Sequence, residues 1–147
     1  DLKLVLAGGK GYNFDKKIER TIKEYHLEKD VFLPGFIEEE DKAAVIKGAR
    51  IFCFPSFYEG FGIPILEAMN IGVPTVVSKI PPHGEVAGEA SEFFDPQNAD
   101  ELSIKLIKII NNKNVGNDLI EKGKEQAKKF SWQSAARKLL EIFENVR

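Results

Sequence analysis

Hydrophobic positions along this chain come in short apolar runs that alternate with segments of helical spacing. Leu2, Leu4, Val5, Leu6 and Ala7 form one such run, ended by Gly8-Gly9, which predicts a buried strand and then a loop through Gly11. Ile18, Ile22 and Tyr25 recur at helical intervals and predict a helix from Asp15 to His26. Val31 to Leu33 reads as a second strand, stopped by Pro34-Gly35. Glu38 to Lys47 reads as a short helix whose first-turn acids complement the helix dipole. Ile51 to Phe54 is a third apolar run, and Pro55 ends it. A helix from Ile63 to Ile71 follows, with Pro64 in its first turn and Gly72 just past its end. Thr75 to Val77 predicts a fourth strand and Phe93-Phe94 a fifth, closed by Asp95-Pro96. The stretch Lys79 to Ala90, with two prolines and two glycines, is expected to be mainly loop. Helices are expected at 99–110, 115–129 and 132–146, the last with Ser131 as N-cap.

Strands thus alternate with helices, and most strands are apolar on both faces. That pattern predicts a parallel sheet covered by helices, a three-layer α/β/α, Rossmann-like architecture. Ligands of such sheets bind at the carboxyl ends of the strands. Three loops are expected to gather on that edge: Gly8 to Gly11, Pro34 to Ile37, and Ser56 to Gly62.

Composition narrows the class. At 147 residues and 43% hydrophobic, the chain suits one domain with a sizeable core. A net charge of −2 with both signs interspersed argues against a nucleic-acid-binding surface. Cys53 is the one cysteine, so no intrachain disulfide is available, which favours a cytoplasmic setting. Its neighbours are apolar, so it is read as inert and buried. No segment is apolar for long enough to span a bilayer, and no signal peptide is read. The chain opens at Asp1 directly on a strand, with Met69 as its one methionine, which suggests a piece of a longer protein.

Candidate chemistry concentrates between Ser56 and Ser78. Glu59 and Glu67, separated by seven residues, flank Gly60-Phe61-Gly62 at the start of a helix. A helix N-terminus presents unpaired N–H groups and partial positive charge, a combination that binds phosphate. Glycines let backbone approach a ligand closely; they equally make a plain strand-to-helix turn. The Glu67 carboxylate has two oxygens able to accept from the adjacent hydroxyls of a ribose, and it fits as well a first-turn acid stabilised by the dipole. Glu59 suits a contact to a sugar or to a cationic reacting carbon, or a solvated loop position.

The whole string EGFGIPILEAMNIGVPTVVS resembles the donor-binding signature of retaining, family-4-type glycosyltransferases of the GT-B fold. The similarity extends upstream through GARIFCFPSFYEGFG, DVFLPGFIEEED and DLKLVLAGGKG, and downstream through GEVAGEASEFFDP and KFSWQSAARKLLEIFENV. It covers essentially the whole chain as the C-terminal half of such an enzyme. The resemblance implies that Glu67 holds the donor ribose and that Glu59, the catalytic candidate, contacts and orients the donor sugar. It implies that the backbone of Gly60, Phe61, Gly62 and Ile63 meets sugar hydroxyls and diphosphate, and that the backbone around Gly35, Phe36 and Ile37 recognises the base. The implied reaction is transfer of a hexose, mannose or glucose foremost, from a UDP- or GDP-sugar to a glycan or lipid-linked acceptor, as in polysaccharide biosynthesis. No metal or other cofactor is implied beyond the nucleotide diphosphosugar substrate.

The pattern also has a gap. An Arg and a Lys that grip the diphosphate in the family lie upstream of Asp1, as does the N-terminal domain that supplies acceptor contacts. The chain is therefore expected to be a donor-side half, inactive alone, from an enzyme that works in the cytoplasm or at the inner membrane face. Lys10 and Lys79 are available cations, Lys79 the better placed of the two, though each also fits a solvated lysine. His83, in the loop after the fourth strand, is within reach of the donor but is read as structural or surface, and His26 as a charge complementing a helix end. Trp132, Ala135, Ala136, Leu139, Leu140 and Phe143 recur at helical spacing and are read as core-facing. Two other functions share features of this sequence: a GT-B-fold nucleotide-sugar epimerase and a non-catalytic α/β interaction module. A receiver-like module needs an acidic strand end, and the third strand ends in Pro55-Ser56.

Overall fold

A computed structural model describes residues 2–9 and 14–146. Lys10 and the Gly11 end of the first loop lie outside the described residues. The chain divides into two compact units, Asp1–Lys42 and Ala43–Arg147.

The first unit pairs β1 (Leu4–Ala7) with β2 (Val31–Gly35) in parallel, joined through α1 (Phe14–Glu24). The register runs Leu4 to Val31 and Val5 to Phe32, then shifts before Ala7 meets Gly35. Pro34, without an N–H to give to the ladder, lies at that shift. The end of α1 is closed by backbone hydrogen bonds, with Lys23 in its last turn. His26 takes a positive φ of 55°, its N–H donates to Lys23 O, and the Leu27 N–H reaches back to Ile22 O.

Burial of β1 does not match expectation. Leu4 is 49% exposed and Val5 48%, and Phe32 opposite is 51% exposed. Two strands make a sheet in which both are edges, so apolar residues alone do not confer burial.

The boundary between the units falls inside α2 (Glu39–Lys47). The second unit holds a three-stranded parallel sheet in the order β3 (Phe52–Phe54), β4 (Thr75–Ser78), β5 (Ser91–Phe94). β4 is central, and all four of its residues are buried. Its alternating side chains enter different clusters, as a period-2 strand requires. Val77 packs with Ile65 and Met69 of α3 (Ile63–Ile71) and with Val86 and Ala87 of α4 (Pro81–Ala87). Val76 packs with Phe94, with Ile109 of α5 (Ala99–Asn111) and with Leu119 of α6 (Lys113–Ala127). The sheet is thus covered on both faces, the three-layer arrangement expected of its continuous apolar strands.

The helix ends follow local chemistry. Asn98 accepts from the Glu101 N–H to cap α5, and Asn112 accepts from the Asn114 and Val115 N–H groups to cap α6. Gly72 closes α3 with φ +88°, its N–H donating to Ala68 O and Met69 O. α6 approaches α3 closely because Gly123 has no side chain: a Cβ there would stand 3.1 Å from Met69 Cγ.

Two expectations in this unit are corrected. The stretch after β4 is not mainly loop, since Pro81 and Pro82 open α4, as proline in a first helical turn allows. And the apolar stripe of α7 (Trp132–Asn145) is exposed, with Trp132 at 80% and Phe143 at 65%. Ser131 does cap that helix, accepting from the Ser134 N–H at 3.1 Å. The stripe forms as the spacing dictates, but none of its residues is buried among the described residues.

Candidate donor site

Because β3, β4 and β5 are parallel, their carboxyl ends lie on one edge of the sheet. The segment from Pro55 to Gly62 leaves β3 on that edge and turns into α3. The turn depends on Gly62, the N-cap, at φ +106° and ψ 42°. That left-handed conformation costs an L side chain about 1–2 kcal/mol. A Cβ on Gly62 would also stand 3.1 Å from Ile65 Cδ1 and 3.4 Å from His83 Cδ2. No side chain caps α3, so its first backbone N–H groups receive no side-chain oxygen. Ile65 N–H turns back to Gly62 O, and Pro64 has no N–H to give. What the turn offers a ligand is therefore bare backbone with the positive end of a nine-residue helix behind it.

The acids sit on either side of this turn. Glu59 is half-buried, and its Oε1 accepts from the Ser56 hydroxyl at 2.8 Å. That bond holds the carboxylate in the loop immediately before the glycines. Glu67, one helical turn beyond Ile63, is half-buried with Oε2 shielded from solvent. Phe61 packs edge-on against Phe130 at 5.9 Å, which fixes the middle of the turn. Gly60 and Ile63 are exposed. Glu59, Gly60, Phe61, Gly62, Ile63 and Glu67 thus form one continuous feature at the start of α3.

Gly35, Phe36 and Ile37 belong to the first unit. Gly35 ends β2 at φ +81° and its carbonyl accepts from the Gly8 N–H at 2.8 Å, so these two expected loops meet at one end of the β1-β2 ladder. Phe36 is 71% exposed and Ile37 half-buried.

Lys79 is exposed at the end of β4, where its N–H donates to Phe94 O at 2.7 Å. Sequence reasoning gave His83 a structural or surface role, and the structure takes it off the surface entirely. It is fully buried in α4. Its Nδ1–H donates to Ser78 O at 3.0 Å, and its ring lies 5.4 Å from that of Phe54, at the end of β3. The imidazole therefore joins the tips of β3 and β4 to the Gly62 turn. The proline pair before it was the available signal, since a helix there turns His83 inward. Among the described residues, no three His, Cys, Asp or Glu side chains gather as a metal site requires. Burial pushes the Cys53 thiol in β3 up to about 11, which keeps it protonated and unreactive near neutral pH.

Comparison with known proteins decides the family. The model of glycosyl transferases group 1 matches residues 1–126. The chain belongs to that family. Among curated relatives, O-antigen chain mannosyltransferase B of Escherichia coli is 34% identical over 143 residues, covering 95% of this chain and 36% of the relative. Among solved structures, a sucrose-phosphate synthase from Thermosynechococcus elongatus matches with a TM-score of 0.87 at 26% identity, over 98% of this chain and 38% of the other. HepE from Anabaena, solved with UDP and glucose, matches with a TM-score of 0.89 at 20% identity, over 97% of this chain and 40% of the other. The chain spans from 15% to 40% of the length of the curated relatives it matches. Its fold is that of the C-terminal half of a GT-B glycosyltransferase. Among the described residues, no helix is long and apolar enough to cross a membrane.

Proposed function

We propose that this chain is the donor-binding half of a retaining glycosyltransferase. The whole enzyme transfers a hexose from a nucleotide diphosphosugar to a glycan or lipid-linked acceptor, with no metal required. The observation that carries this reading is the start of α3, an uncapped helix N-terminus with a glycine N-cap, flanked by Glu59 and Glu67. Diphosphate is matched by the helix N-terminus, a ribose diol by the two oxygens of Glu67, and sugar hydroxyls by Glu59 and the backbone of Gly60 to Ile63. The base is assigned to the backbone at Gly35, Phe36 and Ile37. Lys79 is the described cation nearest in sequence to this edge, and acceptor contacts are assigned to an N-terminal domain outside this chain.

Mannose is favoured over glucose as the transferred sugar. Relatives above 30% identity from Escherichia coli and Mycolicibacterium hassiacum are named mannosyltransferases. UDP or GDP is the nucleotide, and related HepE structures contain UDP and UDP-glucose. Cytoplasmic synthesis of a polysaccharide or glycolipid suits such donors. The test is an assay of the full-length protein with GDP-mannose, UDP-glucose and related donors, scored by product NMR. Transfer of one hexose with the donor's anomeric configuration kept, unaffected by EDTA, is the expected outcome. Inversion, epimerised donor without transfer, or no turnover of any donor would contradict it.

A further inference from the structure

The imidazole of His83 has one nitrogen satisfied and one not. Ser78 O can only accept, so Nδ1 carries the hydrogen of that bond. In the neutral ring this leaves Nε2 as an acceptor. Nε2 is buried and has no hydrogen-bond partner. Buried polar atoms are nearly always paired, so an orphan of this kind calls for a partner. The ring edge that bears it faces the Gly62 turn, because Cδ2, the carbon bonded to Nε2, lies 3.4 Å from where a Gly62 Cβ would stand. Glycine at 62 omits the Cβ that would crowd this edge of the ring.

We propose that His83 is a donor-binding residue whose Nε2 accepts a hydrogen from a hydroxyl of the donor's sugar. This rests on the reading of the α3 turn as the donor site. The partner is assigned to the sugar rather than to the diphosphate because an acceptor nitrogen needs a donor opposite it. Sugar hydroxyls donate, whereas ionised phosphate oxygens only accept. Phe54 supports one side of the ring, and the Ser78 carbonyl fixes its tautomer. The same two contacts would hold Nε2 in place before the sugar arrives, as a preorganised site requires.

The two nitrogens can be separated by substitution. In His83→Asn the amide can still donate to Ser78 O but nothing reaches the position of Nε2. In His83→Gln the amide reaches toward the Nε2 position. The full-length protein and both variants are titrated with GDP and GDP-mannose, and with UDP and UDP-glucose, with urea midpoints as the folding control. For whichever pair the wild type binds, His83→Asn should weaken the sugar nucleotide about five- to tenfold, leave the free diphosphate within about twofold, and be partly rescued by Gln. In 15N-histidine-labelled wild type, the Nε2 resonance of His83 should move on adding the sugar nucleotide and not on adding the free diphosphate. Equal weakening of both ligands, no weakening of either, or an unmoved Nε2 at saturation would overturn the role of His83 while leaving the donor site standing. A wild type that binds no nucleotide at all would overturn both.

Discussion

β1 and β4 are strands of equal length in opposite environments. LVLA is wholly apolar and TVVS half polar, yet every residue of β4 is buried and most of β1 is exposed. β4 has a hydrogen-bonded neighbour on each side and helices over both faces, while β1 pairs only with β2. Burial is therefore set by strand position and by what covers the faces, not by the apolar content of the run. The candidate site follows the same division. Glu59, the Gly62 turn, Glu67 and His83 stand on or beside the better-buried sheet, which suits chemistry that needs fixed groups.

Substitutions matched between the two sheets sharpen this contrast. Phe94, 2% exposed in β5, should cost about 3–5 kcal/mol when replaced by alanine. Phe32→Ala in β2, at 51% exposure, should cost only about 1–2 kcal/mol in the same urea titrations. Equal costs would mean that the exposed face of β1-β2 is as well packed as the core.

Two glycines, one ending β2 and one at the N-cap of α3, give a second matched pair. Gly35 and Gly62 both have positive φ, but a Cβ at Gly35 meets nothing within 4 Å whereas one at Gly62 meets Ile65 at 3.1 Å. Gly35→Ala should cost about 1–2 kcal/mol from backbone alone. Gly62→Ala should cost about 1 kcal/mol more, because the crowding of Ile65 is added. Urea midpoints check both. Gly62→Ala should also weaken nucleotide binding, which Gly60→Ala, with open space around it, should alter less.

Ion pairs differ in the same way. Glu92 of β5 is 13% exposed and is held by Lys105 and Lys108, whereas Lys3 and Asp30 of the first unit are 45% and 49% exposed. Burial pushes the Glu92 carboxyl up, but hydrogen bonds from Lys108 and Lys105 and their charges outweigh it, so the net shift is below 4.5. A carboxylate lowered in the folded state stabilises above its unfolded value and loses that contribution as pH falls through the folded one. Glu92→Gln should therefore cost on the order of 1 kcal/mol near neutral pH, with the gap to wild type closing below about pH 4.5. Asp30→Asn should cost less at either pH. Smallest in effect on stability is a chemical probe: half-buried Cys53 should react with a thiol reagent at pH 8 more slowly than a free thiol, since burial holds its thiol up to about 11.

Much of this was legible in the sequence. The alternation of apolar runs with helical spacing gave the element order, and Pro64 and Gly72 bracketed α3 as found. Parallel pairing followed from strands apolar on both faces. What the pattern could not carry was context. The period of α7 forms an apolar stripe, but periodicity does not supply a partner, so Trp132 and Phe143 stand exposed. Prolines and glycines in Lys79 to Ala90 suggested loop, although two prolines at a helix start are as good a signal for α4. His83 was misplaced for the same reason: a residue's burial depends on the helix that carries it. Glu59 and Glu67, by contrast, are candidates on a local signal, their spacing around Gly-Phe-Gly.

The central claim is that the start of α3 binds the nucleotide end of a sugar donor with Glu67 on the ribose. Calorimetric titration of the full-length protein and its Glu67→Ala variant with GDP and UDP tests it most directly. Binding of one of the two by the wild type, weakened tenfold or more in Glu67→Ala at an unchanged urea midpoint, is the predicted result. Equal affinity in the two proteins would contradict it.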